Sequence, residues 1–352
     1  MNAAPIDHSS TTSLAPASVS ASALPSPLLL DVTIRDGGYV NGHDWTVAQA
    51  RSVVRTMEAA RVPFVEVGYL RQATGGALTP AARCEPDYLH ALAAETRDTR
   101  LVVMVRPGET EPEALKGLAD SGVGMVRILA ARLDVPAAVP FVEAAVAEGL
   151  IPAVNLTHAS RFPAERLADA VAEAARAGAR IVYLADSNGS LYPEQTASRI
   201  RAAVQAAATE ATDRAGGADG TGGAVIGFHP HDNLGMAFAN TAAALDAGAA
   251  AIDASIGGIG KGGGNLRLEL IAAHLVRHAG ADYSIDPLVQ DPTTTPVRLK
   301  MIMEAGAKAL MTGILDVSLE QLRGFQEEAA RRGYDALLRA GAYTPAPATP
   351  AP

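Results

Sequence analysis

AVIGFHPHDNLGMAFANTAAALDAGAAAIDASIGG, residues 224–258, reads as one complete strand–helix–strand unit. Its first run, AVIGFHPH, and its last, AAIDASIGG, are short and apolar through their centres, as strands covered on both faces are. Between them, LGMAFANTAAALDAG is Ala-rich, has helical length and closes on Gly248, a common helix C-cap.

The same rhythm runs outward through the chain. PLLLDVTI (27–34), FVEVGYL (64–70), LVVMVRP (101–107), MVRILAA (125–131), IPAVNLTH (151–158) and IVYLADS (181–187) are the earlier strand candidates. A helical stretch follows each strand, including EPEALKGLADSG (111–122) after the third and NLRLELIAAHLVRHAG (265–280) after the eighth. Eight such units over about 250 residues predict an α/β fold, a (β/α)8 TIM barrel with a C-terminal helical extension. The rival, a doubly wound open sheet, is disfavoured because the early Gly-rich dinucleotide fingerprint is missing. Beyond residue 280 the rhythm stops, and VRLKMIMEAGAKALM (297–311) and LEQLRGFQEEAARRGYDALLRAG (319–341) predict helices beside the barrel. The expected organisation is a disordered head over 1–26, a barrel over 27–282, a helical region over 283–342 and a Pro/Ala tail over 343–352. The Gly-rich stretch 209–223 is expected to be a surface loop.

Composition narrows the function. The 352 residues are 48% hydrophobic and 19% charged, enough for a large core and against global disorder. A net charge of -9 offers no basic field for a phosphate backbone, which argues against nucleic-acid binding. One cysteine, Cys84, excludes an intrachain disulfide and any multi-Cys metal site. No Lys or Arg precedes Arg35, and no apolar run reaches membrane-spanning length, so a soluble cytoplasmic protein is expected.

In a (β/α)8 barrel the active site lies at the C-terminal ends of the strands. Polar groups gather there in this chain: Arg35 and Asp36 after the first strand, Glu66 and Tyr69 on the second, and Asn155, Thr157 and His158 on the fifth. Asp186 and Ser187 end the sixth, His229, His231 and Asp232 the seventh, and the eighth leads to a loop holding Lys261 and Asn265. Histidines at i and i+2 on a strand point to one side, so both imidazoles of His229-Pro230-His231 reach one ion. Asp36 is the natural carboxylate to complete the set, which suits Mn, Fe, Zn or Mg. Arg35 is a charged fork fitted to a carboxylate or a developing enolate oxygen. The loop GGIGKGGGN (257–265) allows close backbone approach but is not a phosphate-binding Walker sequence. Taken singly, each feature has an ordinary alternative: two histidines in a polar loop, a surface Arg–Asp pair, a flexible loop.

Taken together they carry a resemblance. DVTIRDGG (31–38), VEVGY (65–69), ADSNG (185–189), GFHPHDNLGMAFANTAAALDAG (227–248) and DASIGGIGKGGGNLRLE (253–269), in this order, resemble the DRE-TIM metallolyase superfamily over about residues 28–280. The strand-8 loop, with GxGNxxLE and no cysteine, is most similar to the 4-hydroxy-2-oxovalerate aldolase-like branch. The resemblance implies a divalent-metal-dependent aldolase or lyase that makes or breaks a C–C bond next to a 2-oxo acid. It implies Asp36, His229 and His231 as ligands of Mn2+ or Mg2+, with Zn2+ or Co2+ as alternatives, and Asn265 as a further ligand or a neighbour of one. Arg35 would steady an enolate oxygen, Ser187 and Thr157 would seat the substrate, and Glu66, Asp232 and Asp253 would orient the ligands. The aldolases carry a proton-transferring His three residues after the metal Asp. This chain has Tyr39 there and His43 four residues on, so these two share the role of candidate base. The substrate-facing Tyr of the aldolases' C-terminal helices has no counterpart between Tyr283 and Tyr334, which implies a different acceptor pocket. The implied partners are a 2-oxo acid, an aldehyde, a second copy of the chain in a homodimer, and an acylating aldehyde dehydrogenase. Two alternatives stay open: an acyl-CoA-dependent Claisen synthase on the same fold, and a non-catalytic ligand-binding barrel.

Overall fold

The structure is a computed structural model and describes residues 27–71, 79–214, 223–290, 315–332 and 337. Eight parallel strands close on themselves in sequence order: β1 Leu28–Asp31, β2 Phe64–Tyr69, β3 Arg100–Val105, β4 Val123–Ala130, β5 Ile151–Leu156, β6 Ile181–Asp186, β7 Val225–Pro230 and β8 Ala251–Ala254. All eight fall within, or within two residues of, the runs read from sequence. The seam is made by β1 and β8, with Leu28 opposite Ala251 and Asp31 opposite Ala254. The helices are α1 Val47–Ala60, α2 Pro80–Arg83, α3 Pro86–Ala93, α4 Val135–Ala147, α5 Ala164–Ala177, α6 Pro193–Arg214, α7 Ala237–Asp246, α8 Leu268–Ala279, α9 Asp286–Gln290 and α10 Leu319–Arg332.

One expected helix is absent. EPEALKGLADSG forms two 3-10 turns, Pro112–Leu115 and Ala119–Ser121. The break falls at Gly117, whose φ of +75° belongs to the left-handed region that glycine enters freely. Its amide is taken by the Glu148 carboxylate at 2.9 Å, at the far end of α4, instead of by a helical carbonyl.

The core has two parts. Outside the barrel, strand residues such as Val65, Val103 and Leu184 pack against the helices. Inside, Phe64, Met125, Ile181 and Ala251 form an apolar layer from the even-numbered strands. Residues two apart on a strand share a face, so the next layer up is Glu66, Arg127, Tyr183 and Asp253. Arg127 bonds Glu66 at 3.2 Å and Asp253 at 2.6 Å, and its guanidinium lies 4.3 Å from the centre of the Tyr183 ring. Gly227 makes room for that ring, since a Cβ there would lie 2.3 Å from it. The barrel interior is therefore apolar below and ionic above, and the ionic layer is the floor beneath the strand ends.

After the barrel, α10 and the residues before it pack around Phe325, Leu315 and Val317. This segment meets the C-terminal end of the barrel: the Asp316 carboxylate accepts from Ser160 and Ser190, at 3.1 and 3.2 Å, and from Asn188. The sequence-predicted helix over 297–311, the head, the tail and the loop over 215–222 lie outside the described residues, and 209–214 continues α6.

Candidate active site

The strand ends and the loops after them enclose a cavity of about 260 Å³, lined among others by Arg35, Asp36, Tyr39, Thr157, Ser187, His229 and His231. Asp36 follows the turn that begins at the end of β1, and both histidines project from the end of β7. Their donor atoms and an Asp36 carboxylate oxygen all lie within 4.8 Å of one another, and all three residues are buried.

Hydrogen bonds fix how the two imidazoles face. His229 Nδ1 lies 2.8 Å from Asp253 Oδ2, and His231 Nδ1 lies 3.1 Å from the Gly264 carbonyl oxygen. Both are acceptors, which assigns the ring protons to Nδ1 and leaves lone pairs on the two Nε2 atoms. Those atoms are only 3.3 Å apart, with Asp36 Oδ2 3.8 Å from His229 Nε2. Two lone pairs and a carboxylate converging on one point repel each other without a cation between them, and their chemistry fits a divalent ion. Burial pushes the His231 imidazole down to about 3, so it stays neutral at working pH. Burial opposes the Asp36 charge, but the Arg35 guanidinium and the hydrogen bond from Asn265 overcome it and hold the carboxyl below its usual range.

Asn265 sits beside this cluster. Its Nδ2 donates to Asp36 Oδ1 and to the Ile259 carbonyl, both at 3.0 Å, while its buried Oδ1 has no hydrogen-bond partner among the described residues. Gly260 lets the loop close over it: a Cβ there would come 2.2 Å from Asn265 Nδ2 and 2.9 Å from Asp36 Oδ1.

Arg35 is anchored on two sides. Its Nε donates to Glu66 Oε2 at 2.6 Å and its Nη1 to Asp36, while its buried Nη2 makes no hydrogen bond among the described residues. Glu66 and Asp253 thus tie Arg35 and His229 to the same floor residue, Arg127. Asp232 is placed differently from the expectation: its Oδ1 accepts the Ala237 amide at 2.8 Å, capping α7, and makes no hydrogen bond to the three clustered residues. Ser187 Oγ accepts the His158 amide at 2.9 Å, and Lys261 Nζ donates to the Ser187 carbonyl at 3.3 Å. Burial pushes Asp186 up to about 6, and its two oxygens hold the Ser190 and Leu191 amides, shaping the turn that carries Ser187.

The two candidate bases part company. Tyr39 lines the cavity and shares a 2.8 Å hydrogen bond with the Tyr69 hydroxyl. His43 packs edge-on against both rings, at 5.0 and 5.6 Å, and is not among the cavity-lining residues. Burial pushes His43 down to about 4, with Arg35 and Arg71 adding to the effect.

Two residues carry no role in the sequence motifs, Arg127 and Arg106. Both are visible as lone charges in or just after otherwise apolar strands, MVRILAA and LVVMVRP.

The HMGL-like family profile matches residues 26–307. The chain belongs to the HMGL-like family. Curated relatives agree: it is 32% identical over 252 residues to the oxaloacetate decarboxylase of Mycobacterium tuberculosis, covering 71% of this chain and 70% of that one. It is 30% identical over 311 residues to the 4-hydroxy-2-oxovalerate aldolase of Brevibacillus brevis, covering 87% and 86%. These HMGL-like relatives are carbon–carbon lyases by name. Among solved structures, the N-terminal domain of a candidate aldolase from Bacteroides vulgatus superposes with a TM-score of 0.73 at 22% identity, covering 89% of this chain and 99% of that one. The carboxyl transferase domain of Rhizobium etli pyruvate carboxylase gives 0.60 at 17% identity, covering 89% and 55%; both likenesses show the fold. No helix among the described residues is long and apolar enough to cross a membrane.

Proposed function

We propose that the chain is a divalent-metal-dependent carbon–carbon lyase acting on the bond between C3 and C4 of a 2-oxo acid. The observation that carries this reading is the convergence of two Nε2 lone pairs and the Asp36 carboxylate beside a buried guanidinium. Asp36, His229 and His231 would hold the ion, with Asn265 Oδ1 as a further oxygen donor, and Mn2+ or Mg2+ fits this mixed set. A bound cation supplies Lewis acidity toward the substrate's carboxylate and keto oxygens. Arg35, clamped by Glu66, presents Nη2 to the oxyanion that develops when the bond breaks. Ser187 and Thr157 seat the substrate carboxylate. Both substrates named by the relatives, 4-hydroxy-2-oxovalerate and oxaloacetate, leave a pyruvate enolate when this bond is cleaved.

The two reactions differ in one demand. Cleaving a 4-hydroxy acid needs a base on the hydroxyl, and losing carbon dioxide does not. Tyr39, hydrogen-bonded to Tyr69, is the group placed for that base, with His43 behind it. The same Tyr in place of a His favours decarboxylation of an oxaloacetate-type acid as a second reading. A cytoplasmic homodimer with an acylating aldehyde dehydrogenase partner extends the aldolase reading, and co-purification from the native host tests it.

The deciding experiment is deuterium exchange at C3 of pyruvate and 2-oxobutyrate, followed by NMR. Exchange that appears with Mn2+ or Mg2+ and vanishes with chelator is expected; tight metal binding without exchange would overturn the reading.

A further inference from the structure

The cavity is cationic on two separate walls. Arg35 and Lys261 stand on the side of the Asp36–His229–His231 cluster. The part of the lining built by the ends of β2 and β3 carries Tyr69 and Arg106. Arg106 gives Nη1 to Glu109 Oε1 at 2.6 Å, and among the described residues its Nε and Nη2 make no hydrogen bond. Glu109 does not cancel this wall, because its other carboxylate oxygen is ion-paired with Arg71 at 2.9 Å. Two guanidinium groups therefore share one carboxylate. Both lie against the Tyr69 ring, 4.5 Å from its centre for Arg71 and 5.6 Å for Arg106. Arg106 is 35% exposed at the side chain, so it is held in place and open to the cavity.

A 2-oxo acid with one carboxylate satisfies one wall. From this arrangement we infer that the substrate is a 2-oxo diacid, whose second carboxylate lies beyond the scissile bond and is recognised by Arg106. A neutral aldehyde fragment would leave a net positive wall without a counter-charge. A carboxylate there receives a fork of N–H donors matched to its geometry. In the aldol direction the acceptor is then an oxo acid, and a diacid such as oxaloacetate fits the same pattern. This inference rests on the lyase reading for the position of the reacting carbons, but binding alone can test it.

The test compares two five-carbon ligands differing only in the distal group, 2-oxoglutarate and 2-oxopentanoate, by calorimetric titration of the Mn2+-loaded protein. Wild type is expected to bind the diacid at least tenfold more tightly. Arg106→Met should erase the preference, and Arg106→Lys should keep part of it. Glu109→Gln removes the competing carboxylate and should tighten diacid binding, a gain that misfolding cannot produce. Equal affinities in wild type, or a preference that survives in Arg106→Met, would overturn the inference. C3 exchange of both ligands, read in the same samples, separates the two claims. Exchange without a preference overturns the diacid subsite alone. An Arg106-dependent preference without exchange supports the subsite and overturns the lyase reading.

Discussion

At the residue scale the proposed metal chemistry rests on a single atom pair, the Nε2 nitrogens of His229 and His231. His229→Ala or His231→Ala removes one donor and should abolish metal-dependent C3 exchange while circular dichroism stays native; wild-type exchange in either variant would remove the histidines from the site. Arg35→Lys keeps the charge and loses the fork, so the exchange rate should fall at least tenfold, about 1.4 kcal/mol in barrier. A third expectation concerns Asp31, whose carboxyl burial pushes up to about 7 although Thr33 donates to it. Folding favours the protonated form, so stability drawn from this group is full near pH 4 and is lost as pH rises toward 7. The slope is at most about 1.4 kcal/mol per pH unit. Denaturation across pH 5–8 should show a shallower decline for Asp31→Asn than for wild type, and equal slopes would refute the assignment. The clustering of Asp36, His229 and His231 was legible because HxH spacing and a strand-end Asp carry chemistry in their order alone. The roles of Tyr39 and His43 were not, because which ring enters the cavity depends on the turn after Asp36. The Asp232 contact was not legible for a related reason: adjacency to His231 in sequence says nothing about which amide its carboxylate finds.

Strands and connections were legible to different degrees at the scale of the element. Central barrel strands are apolar on both faces, so each announces itself without alternation, and even the four-residue β8 was found. The stretch EPEALKGLADSG has helix-forming composition, and only Gly117 and the reach of Glu148 turn it into two tight turns. A Cβ at Gly117 meets nothing within 4 Å, so Gly117→Ala should cost only the strain of a positive φ, about 1 kcal/mol, and leave exchange unchanged. At the start of α1, Thr46 and Gln49 cap each other reciprocally. Thr46→Ala should destabilise by about 1 kcal/mol in thermal or chemical denaturation, and no change would mean the cap is replaced by solvent.

The ionic floor is the feature of the whole molecule that no single segment announces. Glu66, Arg127 and Asp253 come from three strands, and only closure in register stacks them into one layer. Arg127 is a lone charge in an apolar run of sequence, and its partners lie 61 and 126 residues away. Arg127→Met leaves two buried carboxylates without their counter-ion and should cost about 3–5 kcal/mol in chemical denaturation. Adding Glu66→Gln should recover part of that loss; an additive double variant would mean the two do not act through each other. Closure at the β1–β8 seam also sets an order of events for a chain emerging from the ribosome. Asp36 is made early, while His229, His231 and Asn265 follow some two hundred residues later, so a growing chain that ends between them holds the carboxylate without its imidazoles. A cation held by all three, as proposed, would be captured only after nearly the whole barrel has been translated, which would make ion capture a late step of assembly and not a seed for it.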